Sequence, residues 1–387
     1  MTPLVVDRID SERGLAAIEP EWLALEGRAG NTLPFRTFAW VACWWKHMRE
    51  ARVAVKDTLA MRCVRTAADG VLVGVAPLIL TQRPGVGPLR ARCLHFIGSD
   101  PNMTEVRGAL CERGLEAECC AAIYADLLRS RREFDWLHWS GVGRDDGGRG
   151  VLRDPRLRWR DGVVCSVITL PATWDELRSS QPRNLKESLR KCYNSLKRDG
   201  LELEVEVVEK KADTAPAVAD FFRLHSARAA LEDTVRHNDV FDFPASRAFL
   251  VDVCERFAER GALRIFRLRV GGSLVATRIG FVLADSLYLY YSGFDPAFGK
   301  YGVMTTTLAE AIKVAIGERL RSVNLSTGKD VSKNRWRPQE IAFSDAFLFS
   351  RSPMARVKYK AIATATSLVK QPFVGGYALR ALARRAP

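Results

Sequence analysis

Apolar positions recur at helical spacing in some stretches of the chain and alternate with polar ones in others, and these two periods divide it into elements. A short strand over residues 4–6 leads into a predicted helix over 11–27. A second helix, 37–49, carries Trp40 and Trp44 on one face at i, i+4 with Trp45 beside them, a stripe whose size and apolarity predict a core role. Residues 58–65 and 71–80 alternate around Asp69-Gly70 and read as a hairpin. A strand over 92–97, the polar loop "GSDPNMTE", a helix over 115–130 and a strand over 136–139 complete the first half.

The stretch "GVGRDDGGRGVLRDPRLRWRDG" interrupts both periods and marks a boundary or long loop. Order resumes with a strand over 163–170, a helix over 182–198 and a strand over 201–208. In that helix Leu185, Leu189, Cys192 and Leu196 form an inward stripe, and Arg183, Lys186, Arg190 and Lys197 lie on a neighbouring face. Helices over 217–230 and 244–260 precede "LRIFRLRVGGSLVATRIGFVLADSLYLYYSG", three strands of an antiparallel meander. A helix over 302–319, a strand over 322–325, the loop "STGKDVSKNRWRP" and a strand near 342–348 follow. Each half thus offers helices, a hairpin, then strand, helix, strand, an α+β pattern.

Composition narrows the class. The 387 residues are 47% hydrophobic and 27% charged, which is globular and long enough for two domains. The longest apolar runs are too short to span a bilayer, and the N-terminus lacks the basic-then-apolar order of a signal peptide, so the expected location is cytoplasmic. Nine cysteines without a CxxC pair suggest reduced thiols and no metal site. The net charge is +14, and the last 37 residues hold eight Lys or Arg and no Asp or Glu. Such a tail attracts phosphate, whether of nucleic acid, lipid or nucleotide, or is simply solvated.

The helix over 302–319 opens on bare backbone, with Gly302 where an acidic cap would be expected. A first turn with unpaired N–H groups at the positive end of a helix dipole holds a phosphate if side chains stay clear. Gly302, Val303, Met304 and Thr305 could supply that cradle and Lys300 a flanking charge. In this setting "RNLKESLRKCYNSLKRDG", "YYSGFDPAFGKYG" and "VNLSTGKDVSKNRW" resemble the GNAT acetyltransferases, in particular the CelD/BcsL type related to FemABX peptidyl transferases. Two words differ from the pattern: Lys300-Tyr301-Gly302-Val303-Met304 replaces Arg-x-x-Gly-x-Gly/Ala, and Ser332 stands where many relatives have Tyr before Lys333.

The resemblance implies two tandem GNAT-like domains, each a mixed, mostly antiparallel sheet flanked by helices, over 1–160 and 161–350, with a basic tail over 351–387. It implies acetyl-CoA as acyl donor in the second domain and an amino-sugar or lipid-linked saccharide acceptor in exopolysaccharide or adhesin synthesis. Amine attack on a thioester needs a base, an oxyanion donor and positioning. Lys333 is the preferred group for the carbonyl or an acceptor phosphate, and Asp100, ahead of Glu105 and His225, for the base. One of Tyr290 and Tyr291, taken as Tyr291, addresses the cleft if the strand alternates. Arg183, Lys186, Arg190 and Asp295 are candidate acceptor contacts. In the tail, Arg380, Arg384 and Arg385 are candidates for cyclic-di-GMP or an anionic membrane surface. The alternatives are a FemABX-like transferase using aminoacyl-tRNA, which the net charge suits, and a non-catalytic cyclic-dinucleotide-responsive module.

Overall fold

The computed structural model describes residues 3–84, 90–100, 102–143, 152–231, 239–328 and 330–370. In the first half, β1 (Leu4–Ile9), α1 (Glu12–Ala17), α2 (Glu19–Ala29) and α3 (Phe38–Met48) precede β2 (Lys56–Leu59), β3 (Met61–Thr66), β4 (Leu72–Ala76) and β5 (Leu78–Arg83). Then come β6 (Ala91–Phe96), β7 (Leu110–Cys111), α4 (Glu116–Arg129) and β8 (Trp136–Gly143). The second half runs β9 (Arg158–Thr169), α5 (Trp174–Ser180), α6 (Arg183–Arg198), β10 (Leu203–Val208), α7 (Lys211–Ala229) and α8 (Pro244–Glu259). It continues with the meander β11 (Leu263–Val270), β12 (Ser273–Leu283) and β13 (Ser286–Phe294), then α9 (Val303–Gly317) and β14 (Ser322–Thr327). The short α10 (Val331–Asn334), β15 (Gln339–Phe349) and α11 (Pro353–Lys370) close the described chain.

Eleven strands form one sheet in the order β10-β11-β12-β13-β14-β9-β15-β8-β6-β5-β2, and β1-β3-β4-β7 form a second. Pairing in the large sheet is antiparallel except at β13/β14 and β6/β8, so each half repeats a meander ending in one parallel pair. The two halves meet at β9 and β15. β15 pairs with β9 on one side and returns to β8 of the first half on the other.

Two expected elements are divided. The helix over 11–27 breaks at Ile18, where Pro20 starts a new first turn in α2. The hairpin around Gly70 is present but bent: between Ala60 and Pro77 its strands (β3, β4) belong to the small sheet, and outside them (β2, β5) to the large one. Pro77 at the bend cannot donate to a ladder, and its carbonyl accepts from Ile97 N instead (2.9 Å).

The tryptophan stripe does more than fill one half. Trp40 of α3 meets Phe249 of α8, Phe281 of β12 and Tyr290 of β13 edge-on, with ring centroids 5.2, 6.2 and 5.6 Å apart. A single apolar cluster therefore runs from Leu15 and Trp22 through these rings to Phe343, joining the halves. Among the described residues no helix is long and apolar enough to cross a membrane, and no group of three His, Cys, Asp or Glu could hold a metal.

Candidate active site

A loop of the first half reaches into the second. It is shaped by Asp100, whose buried carboxylate accepts from Trp44 Nε1 (3.0 Å), Met103 N (2.7 Å), Thr104 N (3.0 Å) and Thr104 Oγ1 (2.6 Å). Trp40 Nε1 donates to Thr104 Oγ1 at 3.1 Å, so the stripe that glues the halves also fixes this loop. Asp100 is fully engaged in holding the turn and does not line the cleft. The loop instead projects Glu105, whose Oε2 accepts from Tyr288 OH (2.5 Å) and Oε1 from Ser326 Oγ (2.7 Å). Burial pushes the Glu105 carboxyl up to about 7, against the pull of those hydroxyls, Lys333 and Arg278.

β13 and β14 pair only from Ser286 to Tyr288 and Ser322 to Asn324; beyond that they part. The gap is a cavity of about 430 Å³ lined by Tyr291 and Ser292 on one side, Ser326 and Thr327 on the other, and Met304, Thr305 and Leu308 of α9. A bulge opens it further, because β12 sets one residue, Ile279, against Tyr290 and Tyr291. Strict alternation fails there, and both hydroxyls reach the same loop. Tyr290 OH donates to Met103 O (2.7 Å) and Tyr291 OH to Asn102 O (3.0 Å), which also brings Tyr291 to the cavity wall.

Cations dominate the walls. Arg278, the one charged side chain of β12, has its Nε buried without a hydrogen bond among the described residues. Burial, with Arg228 adding repulsion, pulls its guanidinium down to about 10. Arg228 of α7 donates to Ser292 Oγ at 3.2 Å. Lys333 donates from Nζ to the Thr327 carbonyl and faces Asp330 at 3.9 Å. Burial lowers the Lys333 ammonium, opposed by Asp330 and Glu105. His225 uses its Nδ1–H on Ser292 O (3.1 Å), and burial holds the ring below the usual range.

The other residues singled out from the sequence are spread. Met304 and Thr305 line the cleft, but Thr305 N already bonds Gly302 O at 2.9 Å. Val303 is buried. Gly302 has φ of 66°, and a Cβ there would sit 2.5 Å from Cys192 Sγ, so α6 rather than an anion occupies the space that its missing side chain leaves. Lys300 lies over the Tyr301 ring and lines a separate open groove of about 640 Å³ with Arg190, Lys191 and Arg198. Arg183 pairs with Glu187 (2.7 Å) and Lys186 donates to Ser179 O (3.2 Å); neither lines the cleft, although Leu185 between them does. Asp295 caps the 3₁₀ turn Pro296–Tyr301 through Ala297 N (3.0 Å). Arg380, Arg384 and Arg385 lie outside the described residues.

The opening between β13 and β14 presents hydroxyls from both walls and the first turn of α9. At Gly302 itself the N–H already bonds Gly299 O (3.0 Å), so it adds no free donor to that turn. Sequence reasoning passed over Arg228 and Arg278. A lone arginine inside "SLVATRIGFVL", between residues of an otherwise apolar strand, was the available signal for the second.

The splayed parallel pair, the bulged meander and the helix between them form a GNAT-like fold. Residues 183–336 match the model of the acetyltransferase (GNAT) domain. Over 91% of this chain and 99% of the other, the structure is similar to that of FemX, with 11% identity and a TM-score of 0.61. L-PGS from Bacillus licheniformis (12% identity, 90% and 96% covered, TM-score 0.51) and a conserved protein of unknown function from Bacteroides thetaiotaomicron (11%, 90% and 100%, TM-score 0.52) share the fold. A comparison with curated protein sequences finds no match.

Proposed function

We propose that the chain transfers an acyl group from acyl-coenzyme A to the amine of a saccharide acceptor that also bears an anionic group. The observation that carries this reading is Glu105, a buried carboxyl held up to about 7 at the point where two strands part, facing Arg278 and Lys333. The coenzyme supplies an activated thioester carbonyl. Glu105 takes the proton from the attacking amine, a role its raised pKa suits near neutral pH. Lys333, fixed by the Thr327 carbonyl, directs positive charge toward the developing oxyanion. Arg278 and Arg228 bind the acceptor's anion, and Ser292, Thr327 and Asn102 meet its hydroxyls. Tyr288 and Ser326 are positioning residues that orient Glu105. The amino-sugar acceptor and a CelD/BcsL-type role in exopolysaccharide synthesis rest on the sequence words quoted above.

A second reading uses aminoacyl-tRNA as donor. The net charge of +14 and the open basic groove of Lys300, Arg190, Lys191 and Arg198 favour it. Thermal shifts with acetyl-coenzyme A and with aminoacyl-tRNA separate the two, followed by thiol release with amino-sugar phosphates. Protection by acetyl-coenzyme A and thiol release that drops in Lys333→Ala support the first reading. Protection by tRNA alone, lost in salt, replaces it with the second.

A further inference from the structure

The first half contains a second, smaller cavity beside its own parallel pair, in which Cys93 to His95 run along Trp136 to His138. It holds about 130 Å³ and is lined by Arg107, His95, His138, Thr81 and, toward the outside, Arg83 and Ser99. α11 lies along it and contributes Ile362 to its wall. That helix is anchored by Tyr359 against Trp136, with centroids 5.5 Å apart, and by Lys358 on Asp135 at 3.2 Å.

Arg107 is the unusual member. Its guanidinium has five donors, yet among the described residues it makes no hydrogen bond or ion pair. The two carboxylates that act on it from a distance are already engaged. Asp345 accepts from His138 Nε2 (3.0 Å) and Gly141 N (3.2 Å), and Asp100 from the loop groups given above. His95 does not offset the charge, since its Nδ1 bonds Phe96 O (2.9 Å), its Nε2 lies 2.7 Å from Thr81 Oγ1, and burial pulls its pKa down to about 3. A partly buried cation with unfilled donors on the wall of a cavity offers a site to an acceptor.

We propose that this cavity binds one small oxyanion, a carboxylate or phosphate group, with Arg107 as the principal ligand and Arg83 and Ser99 closing over it. The volume admits such a group and excludes a nucleotide. Because α11 supplies part of the wall, the anion stabilises the docked helix as well as the loop that carries Arg107.

The test is a thermal shift of the full chain with inorganic phosphate and, separately, acetate, against chloride at equal ionic strength. Arg278→Gln removes the cation of the other cleft and serves as background. Phosphate, acetate or both are expected to raise the Tm by roughly 2–4 °C at saturation in the wild type and in Arg278→Gln. In the Arg278→Gln background the rise should vanish on adding Arg107→Gln or Ile362→Trp, the latter filling the space without touching a charge. Whichever anion acts identifies the chemistry. No shift with either anion, or an equal shift in both cavity variants, overturns the proposal. Should Arg107→Gln fail to fold, Ile362→Trp decides alone. Acetyl-coenzyme A protection is read in parallel, so that failure here is distinct from failure of the acyl-transfer reading.

Discussion

The two halves build the same parallel pair and use it in opposite ways. In the second half β13 and β14 part after three residues each, and the gap becomes a polar cleft of about 430 Å³. In the first half β6 and β8 pair over the same length, but α11 covers them and only about 130 Å³ remains. The first half has not lost its share in the site, however. The loop after its β6 crosses over and delivers Glu105 between Tyr288 and Ser326. Labour is divided between the halves: one forms the groove, and the other contributes Glu105 and the rigid aromatic support behind it.

The most direct way to break that division is Glu105→Gln. It is expected to lower kcat by about 10²–10⁴-fold, the usual worth of a general base, and to abolish the limb on which wild-type activity rises through about pH 7. The same substitution changes stability with pH. The folded-state carboxyl is raised from 4.5, so between 4.5 and about 7 the folded chain binds more protons than the unfolded one and loses stability as pH rises. Glu105→Gln should flatten that fall, which amounts to about 3 kcal/mol at most. Denaturation at pH 5 and pH 8 measures it.

Next in size is Arg278→Gln, expected to raise the acceptor KM by about 10–100-fold with a smaller change in kcat, as loss of a charged hydrogen bond does. Steady-state kinetics with acceptors that carry and lack the anion sharpen the comparison, since only the former should respond. Gly302→Ala places a Cβ against Cys192 at positive φ and should cost about 1–3 kcal/mol. Adding Cys192→Ala recovers the part due to contact, while the backbone part persists; chemical denaturation of both variants reads the difference. The smallest expected effect is Tyr291→Phe, about twofold on kcat, because its hydroxyl donates to a backbone carbonyl and orders the loop rather than the reacting atoms.

Much of this arrangement could be read from the residues. The meander, the helix after Gly302 and the buried tryptophans follow from periodicity, which reports local burial. What periodicity does not carry is which distant segment a side chain meets. Asp100 and Glu105 sit five residues apart in one polar loop, and nothing local says that the first folds the loop and the second leaves it. The choice is made by Trp40 and Trp44, more than fifty residues earlier in the chain. The alternation argument for Tyr290 and Tyr291 likewise failed at a bulge, a feature of how β12 and β13 register rather than of either strand alone. The space that the missing side chain of Gly302 leaves is taken by Cys192, from a helix a hundred residues away, which no local pattern announces.

The return of β15 to β8 has a consequence for synthesis on the ribosome. The first half emerges with one side of its sheet unsatisfied, and the strand that seals it follows only after nearly all of the second half has been made. Until then β8 exposes a row of open backbone groups, so slowed translation between β8 and β15 should expose the nascent chain to chaperone capture and aggregation.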